Sequence, residues 1–193
     1  MIEMLFFYLI TLYRKLDHEI ERFKNKTGLK CRSNCGQCCV SPDVETTALE
    51  LLPLAANLWG REEAGHWLEK ASQANMKGPC IFYKPDHAIP ENGRCAIYPL
   101  RPLICRLFGF STVTNKYGAP MLCTCDTIKN LLPENYANAK RLIEEGLPAP
   151  RMTDFTMKIL GINSGFSRKH VPINLAAKLS LERIGLILQF KDD

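Results

Sequence analysis

The stretch CRSNCGQCC, residues 31–39, places four cysteines within nine positions: Cys31, Cys35, Cys38 and Cys39. Packing gives no reason for this density, since a buried cysteine serves a core only as a small apolar side chain. Thiolates are preferred ligands of zinc and of iron–sulfur clusters, and short intervals let several thiolates of one loop converge. Gly36 allows the chain to turn sharply between them. The stretch therefore predicts a metal site.

The adjacent pair Cys38 and Cys39 carries a second prediction. Side chains of neighbouring residues diverge in most backbone conformations, so the two sulfurs are not expected to bind one tetrahedral ion together. The pair is predicted to divide between two metal centres, or between different metals of one cluster. Five further cysteines are available as partners: Cys80, Cys95, Cys105, Cys123 and Cys125.

The apolar stretch at the N-terminus, MIEMLFFYLITLY, bears on the compartment. It is apolar for only about ten residues and carries Glu3, so it is predicted to be neither a signal peptide nor a membrane span, which needs about 20 apolar residues. An odd total of nine cysteines also fits a disulfide framework poorly. We therefore expect a cytoplasmic protein, with reduced thiols available to metal.

The formal charge of +5 invites a nucleic-acid interpretation. This charge counts every cysteine as neutral. Eight thiolates around two divalent ions would together add four negative charges and leave the chain nearly neutral. Nucleic acid is therefore not the expected partner, whereas metal ions are.

Periodicity and helix-breaking residues predict the fold class. Apolar residues three or four apart predict a helix over residues 2–26, which Gly28 ends. The aromatic tip of this helix could also form a homodimer contact. Thr47 and Glu50 match a capping box, so a helix is expected to start near residue 47, with Pro53 forcing a kink or a fresh start. Further helices are predicted over these ranges: 61–75, 134–145, 153–161 and 174–190.

Prolines and glycines interrupt every period between residues 77 and 110, which predicts turns and short strands there. The chain has 193 residues and no linker that marks a boundary, so we expect a single domain over residues 1–193. Its predicted class is mainly α, with short irregular strands and a loop-rich, cysteine-dense metal-binding centre. That centre occupies residues 28–126, flanked by the helix 2–26 and by the C-terminal helices over 134–190.

Three separated strips carry a family resemblance: CRSNCGQCC, then GPCIFY around Cys80, then GRCAIYPLRPLICRLF, which holds Cys95 and Cys105. In this order they resemble the YkgJ-like cysteine-cluster proteins, named for a CxxCxxCC signature, over about residues 31–125. The chain departs from the signature by having three residues rather than two in the first interval.

The resemblance implies chelation of zinc or iron, and the nine cysteines named above become the candidate ligands. Eight of them could fill two four-coordinate sites, with one of Cys123 and Cys125 left over as a small core residue. Flagellin lysine methylase has a similar cysteine pattern and is associated with an iron–sulfur cluster, so a [4Fe-4S] cluster is a candidate cofactor. Arg101 and Arg106 are expected to donate to thiolates or to a carboxylate that orients the loop.

Other polar residues give weaker signals. His87 could replace a cysteine as ligand, and Asp126 could supply an oxygen. The chain has no Ser-His-Asp set, phosphate-binding loop or paired-carboxylate pattern, so no catalytic residue is predicted.

Three functions are consistent with the sequence. The leading hypothesis is a metal-binding protein that holds zinc or an iron centre through about eight thiolates. The first alternative is a redox or methyl-transfer enzyme that uses an iron–sulfur centre. The second is a zinc-stapled module that binds protein or nucleic acid.

Overall fold

Helices dominate the structure, a computed structural model that describes residues 2–89, 92–162 and 169–190. In these ranges the helices are α1 Ile2–Thr27, α2 Gln37–Val40, α3 Leu52–Gly60, α4 Ala64–Gln73, α5 Leu103–Leu107, α6 Asp126–Leu131, α7 Pro133–Glu144, α8 Met152–Leu160 and α9 Ile173–Gln189. A short 3-10 helix spans Tyr98–Leu100. No helix of the described ranges has the length and apolarity that a membrane crossing requires.

Within the described residues, six short strands form three antiparallel pairs. The strands are β1 Glu45–Thr46, β2 Tyr83–Pro85, β3 Gly93–Cys95, β4 Ser111–Thr114, β5 Pro120–Cys123 and β6 Val171–Pro172. β1 pairs with β6, β2 with β3, and β4 with β5. The predicted class, mainly α with short strands, is confirmed.

The chain forms two compact units. Among the described residues, the first unit comprises 2–9, 34–89, 92–102 and 169–190, and the second comprises 10–33 and 103–162. α1 begins in the first unit and ends in the second. Its predicted apolar stripe is buried from Leu9 through Leu16 to Phe23. Gly28, whose φ of 74° suits glycine, follows its last residue.

The first unit is built on α9, against which α3 and α4 pack. The indole Nε1 of Trp59 donates to the backbone carbonyl of Leu181 over 2.9 Å, and a Cβ at Gly185 would overlap the indole ring. The small residue at position 185 therefore lets α3 approach α9 closely. Ala176 and Ala177 of α9 are also buried.

The second unit is built around the β4–β5 hairpin, whose register pairs Ser111 with Cys123 and Thr114 with Pro120. The backbone N–H of Thr112 donates to the carbonyl of Pro150 over 2.8 Å, so the chain before α8 continues the hairpin edge. Asn135 of α7 donates to the carbonyl of Thr27, which satisfies a carbonyl at the end of α1.

The capping box forms, but the helix does not start there. Glu50 N–H donates to the hydroxyl of Thr47, and the Glu50 carboxylate accepts from the Thr47 backbone N–H and hydroxyl. These bonds stabilise a turn, and α3 begins only at Leu52 with Pro53 in its first turn. The expected start near residue 47 is wrong, and the alternative of a fresh start at Pro53 is confirmed. Proline is favoured there because its missing N–H would have no helical partner.

Three short helices occur where none was predicted: α2, α5 and α6. α5 lies inside the segment 77–110, which is therefore not built of turns and strands alone. Pro102 immediately precedes α5. Proline is tolerated at the start of a helix, whereas in a helix interior it breaks the hydrogen bonding. Each of the three helices is too short to show a periodic apolar stripe, so the sequence pattern could not reveal them.

Candidate metal centres

The two compact units divide the nine cysteines between them. The first unit holds five: Cys35, Cys38, Cys39, Cys80 and Cys95. The second unit holds the other four: Cys31, Cys105, Cys123 and Cys125. All nine lie in the described ranges, and none of them forms a disulfide there.

Three segments of the first unit bring Cys39, Cys80 and Cys95 together. Cys39 lies on α2, and the backbone N–H of Cys39 donates to the carbonyl of Gly36 over 2.8 Å. The backbone N–H of Cys80 donates to the carbonyl of Cys39 over 2.7 Å. The thiol of Cys39 hydrogen-bonds to Cys95 at the end of β3. Two sulfurs from distant parts of the sequence therefore face each other.

A single aromatic ring explains why two glycines flank this group. A Cβ at Gly36 or at Gly93 would overlap the ring of Tyr83, which belongs to β2. Gly36 itself has a φ of −100°, a value that any residue adopts. The sequence predicts a glycine for a sharp turn, whereas the structure requires it because the backbone approaches an aromatic ring.

The thiols of Cys95 and Cys80 differ strongly in acidity. The hydrogen bond from Cys39 lowers the pKa of Cys95 to about 7, with help from the Ile97 N–H and the charge of Arg101 and against the effect of burial. Burial raises the pKa of Cys80 to about 11, although the Phe82 N–H and the charge of Lys70 oppose it. A negative charge on Cys95 also raises the pKa of Cys80, so the two sulfurs interact electrostatically.

The hairpin and two short helices position the cysteines of the second unit. Cys105 lies on α5. Shortly after this helix, the backbone N–H of Gly109 donates to the carbonyl of Cys123 over 3.1 Å. Cys125 is the N-cap of α6, and its sulfur accepts from the Ile128 N–H over 3.4 Å. Burial raises the pKa of Cys123, and the charge of Lys129 opposes this effect.

The type of the side chains favours a bound metal, whereas the distances between them do not. The donor set consists of thiols, which are the ligands that zinc and iron–sulfur clusters prefer. Backbone N–H groups already donate to the sulfurs of Cys80, Cys95 and Cys125, and such bonds favour the charged thiolate. Within residues 2–89, 92–162 and 169–190, however, no three or more His, Cys, Asp or Glu side chains are gathered closely enough to hold an ion. The thiols therefore fit such a metal by type, whereas their spacing in the described ranges does not by itself form a coordination site.

Comparison with known families supports the same chemistry. Residues 30–126 match the family model described as "CxxCxxCC: Putative zinc- or iron-chelating domain". This match spans half of the chain. The chain belongs to the CxxCxxCC family. All nine cysteines lie within the matched residues. No curated protein and no solved structure matches the chain.

Arg101 and Arg106 belong to the same strip of sequence as Cys95 and Cys105. Arg106 is 3% exposed; it pairs with the Asp17 carboxylate over 2.5 Å and stacks on the Tyr13 ring at 4.5 Å. Arg101 stacks on the Tyr98 ring at 3.8 Å, and its charge lowers the pKa of Cys95. Arg106 thus donates to a carboxylate, one of the two alternatives that the sequence leaves open.

The other candidates of the CxxCxxCC segment lie at the surface. Asp126 is 85% exposed on its side chain and pairs with Lys129 over 2.9 Å. His87 is exposed and lines a cavity described below. Neither is within a group of three donors in the described ranges.

Sequence reasoning missed Asn174, which holds the Cys80 segment in place. Its fully buried side chain accepts from the Ile81 N–H over 2.9 Å and donates to the carbonyls of Asn75 and Pro79 over 3.1 Å each. An asparagine at the start of an apolar helix gives no sign of a partner nearly a hundred residues away. Its burial among apolar residues of α9 is visible only in the structure.

Proposed function

We propose that this member of the CxxCxxCC family binds zinc or iron in two separate thiolate centres, one in each compact unit. The observation that carries the proposal is the hydrogen bond between the Cys39 and Cys95 thiols, with Cys80 bonded to the Cys39 backbone. Thiols that lie this close must either share protons or bind a cation, and thiolates repel each other without one. A metal ion removes this repulsion.

The first centre uses Cys39, Cys80 and Cys95, and Cys35 rather than Cys38 supplies the fourth thiolate. Adjacent side chains on a helix are rotated by about 100° from each other, which disfavours Cys38 and Cys39 on one ion. The second centre uses the four cysteines of the second unit: Cys31, Cys105, Cys123 and Cys125. Eight thiolates then serve two four-coordinate sites, and one cysteine of the α2 region is spare.

Bound metal would supply cross-links between segments that have few other connections. Closed four-thiolate sites of this kind contribute to folding rather than to catalysis. The chain's own part is to present the sulfurs as thiolates, through backbone N–H donors and the charge of Arg101. Because oxidation would remove those thiolates, the proposal also predicts a reducing compartment such as the cytoplasm.

Elemental analysis of anaerobically purified protein tests this function. We expect about two ions per chain: either colourless zinc, or iron with sulfide and a visible absorbance band. Cys95→Ser and Cys105→Ser should each retain about one ion, because each removes a ligand from a different centre. Wild-type protein without metal after reducing, chelator-free preparation would reject the proposal, and loss of all metal from both variants would reject two separate centres.

The homodimer through α1 stays a separate prediction. Met4 and Phe7 near its start are 72% and 71% exposed, and Tyr8 is 43% exposed. Light scattering during gel filtration checks it, and a Phe7→Ser, Tyr8→Ser variant should shift a dimer toward monomer.

A further inference from the structure

A cavity of about 570 Å³ opens beside the cysteines of the first unit. Its lining includes Tyr83, Lys84 and Arg94 of the β2–β3 pair, together with Lys70 of α4. The volume is that of a site for a small molecule, whose range is roughly 300–1,000 Å³. Nothing in the chelation of metal by thiolates requires a cavity here.

The register of β2 and β3 places two cations opposite each other. Lys84 pairs with Arg94 across the ladder, and both side chains are exposed. Like charges directly opposite on neighbouring strands destabilise a sheet, and this pair of strands has only three residues on each side. Neither cation forms an ion pair with a carboxylate of the described ranges. An anion bound between these two cations would remove their repulsion and stabilise the hairpin.

Lys70 adds a third positive charge to the lining. Its ammonium lies 4.9 Å from the centre of the Trp67 ring, which holds the flexible side chain in one region by a cation–π contact. Lys70 also forms no ion pair with a described carboxylate. The carboxylate of the lining, Asp86, is engaged by the backbone N–H groups of Ala88 and Ile89. Cations therefore outnumber carboxylates by three to one in this lining.

We propose that this cavity binds a small anion with two or more negative charges, such as a phosphate or a polycarboxylate. Lys84, Arg94 and Lys70 supply the charge, and His87 supplies a further polar group. The inference goes beyond metal binding, because none of these side chains is a proposed metal ligand.

The cavity and the cysteines share a wall. The Tyr83 ring lies against Gly36 of the cysteine loop and against Gly93, and it also lines the cavity. Tyr83 and Cys95 are register partners across the same two strands. An anion that steadies this hairpin would therefore also steady the strand that carries Cys95.

Isothermal titration of the purified full chain tests the proposal. The probes are inorganic phosphate and tricarballylate, a tricarboxylate that lacks the metal-chelating hydroxyl of citrate, and acetate at equal ionic strength is the control. We expect saturable binding of at least one polyanion, with about one site per chain, and none of acetate. The probe that binds with the higher affinity shows whether the site prefers phosphates or carboxylates.

A triple variant assigns the binding to the cavity. Lys70→Ala, Lys84→Ala, Arg94→Ala should weaken polyanion binding at least tenfold, whereas the charge-matched Arg14→Ala, Lys15→Ala, Lys116→Ala in the second unit should leave it unchanged. Metal content is expected to stay the same in the control variant and in a Lys84→Ala, Arg94→Ala double variant, which keeps the Lys70 charge that acts on Cys80. A variant that keeps its metal but loses anion binding would show that the anion site is distinct from the metal centres. If the protein proves to hold no metal, anion binding can still be measured by the same titration.

A single substitution guards against a triple variant that fails to fold. Lys84→Thr relieves the like-charge pair, so its melting temperature in phosphate-free buffer should equal or exceed that of wild type. Added phosphate or tricarballylate should then raise the melting temperature of wild type more than that of the variant. The proposal is overturned if neither polyanion binds, if acetate binds equally, or if the variants bind and respond as wild type does.

Discussion

The two compact units hold their cysteines by different means. In the first unit, contacts between sulfurs and single backbone bonds join a short helix, a turn and a strand pair of three residues a side. In the second unit, the β4–β5 hairpin has four residue pairs, and the buried Arg106 ties α5 to α1 through Asp17. The second unit thus has a scaffold that does not depend on its thiols.

This difference indicates which cysteines would contribute most to stability by binding metal. A segment held by a ladder of only three residue pairs and by single hydrogen bonds loses a larger share of its native contacts when its cross-links are removed. A segment in a hairpin keeps its backbone bonds whatever the sulfurs do. We therefore expect the first unit to depend on metal for its shape more than the second.

The largest expected effect tests this comparison with one cysteine from each unit. Cys95→Ser should lower the free energy of unfolding of metal-loaded protein by about 3–5 kcal/mol, or about 10 °C in Tm, because a structural zinc site contributes on the order of 10 kcal/mol. Cys105→Ser should also cost stability but less, since the hairpin remains. Thermal unfolding with hydrogen exchange resolved to each unit measures both.

Chelator-treated protein provides the control for this pair. Without metal, the stability difference between Cys95→Ser and wild type should shrink to about 1 kcal/mol or less. An undiminished difference would show that Cys95 stabilises by packing, and equal losses in both variants would remove the contrast between the units.

Asn174→Ala should have the next largest effect, because it leaves the Ile81 N–H and two carbonyls buried without their partner. Each such group costs about 1–3 kcal/mol, and water entry would recover part of it, so we expect about 3 kcal/mol in total. Amide hydrogen exchange should become faster at residues 80–82. The matched variant Asn57→Ala, at an exposed site of α3, should change stability by less than about 0.5 kcal/mol.

Gly93→Ala should cost about 1–3 kcal/mol, because the added methyl group overlaps the Tyr83 ring and forces it to move. Gly65→Ala is the control, since no atom lies within 4 Å of its Cβ and alanine is the better helix former in α4. Denaturant unfolding should therefore show opposite signs for the two substitutions. A Gly93→Ala variant as stable as wild type would remove Tyr83 as the reason for glycine at this position.

The smallest effect concerns chemistry rather than stability. In metal-free protein near pH 7, Cys95 should be about half thiolate and Cys80 almost fully protonated, because their pKa values are about 7 and about 11. Alkylation of Cys95 should accelerate about tenfold per pH unit below its pKa and level off above it. Mass spectrometry after brief iodoacetamide treatment at pH 6, 7 and 8 measures both rates. Equal labelling of the two cysteines would contradict the hydrogen bond from Cys39.

Much of the helical fold could be predicted because its signal is local. The apolar stripe of α1 and the glycine after it specify a helix within a few turns, and the bonds of the capping box join residues only three apart. The start of α3 was harder to locate, because Thr47–Glu50 and Pro53 are both valid start signals. Packing and the proline decided in favour of Leu52.

The sequence by itself determined the chemistry of this protein: cysteines spaced for metal, in the order that defines the CxxCxxCC family. Only the tertiary structure decided which cysteines share a unit and which sulfur faces Cys39. It also decided that Lys84 lies opposite Arg94 and that Asn174 bonds to Ile81, 93 residues away. Spacing along a chain fixes which groups are available, whereas long-range packing and strand register fix which of them meet.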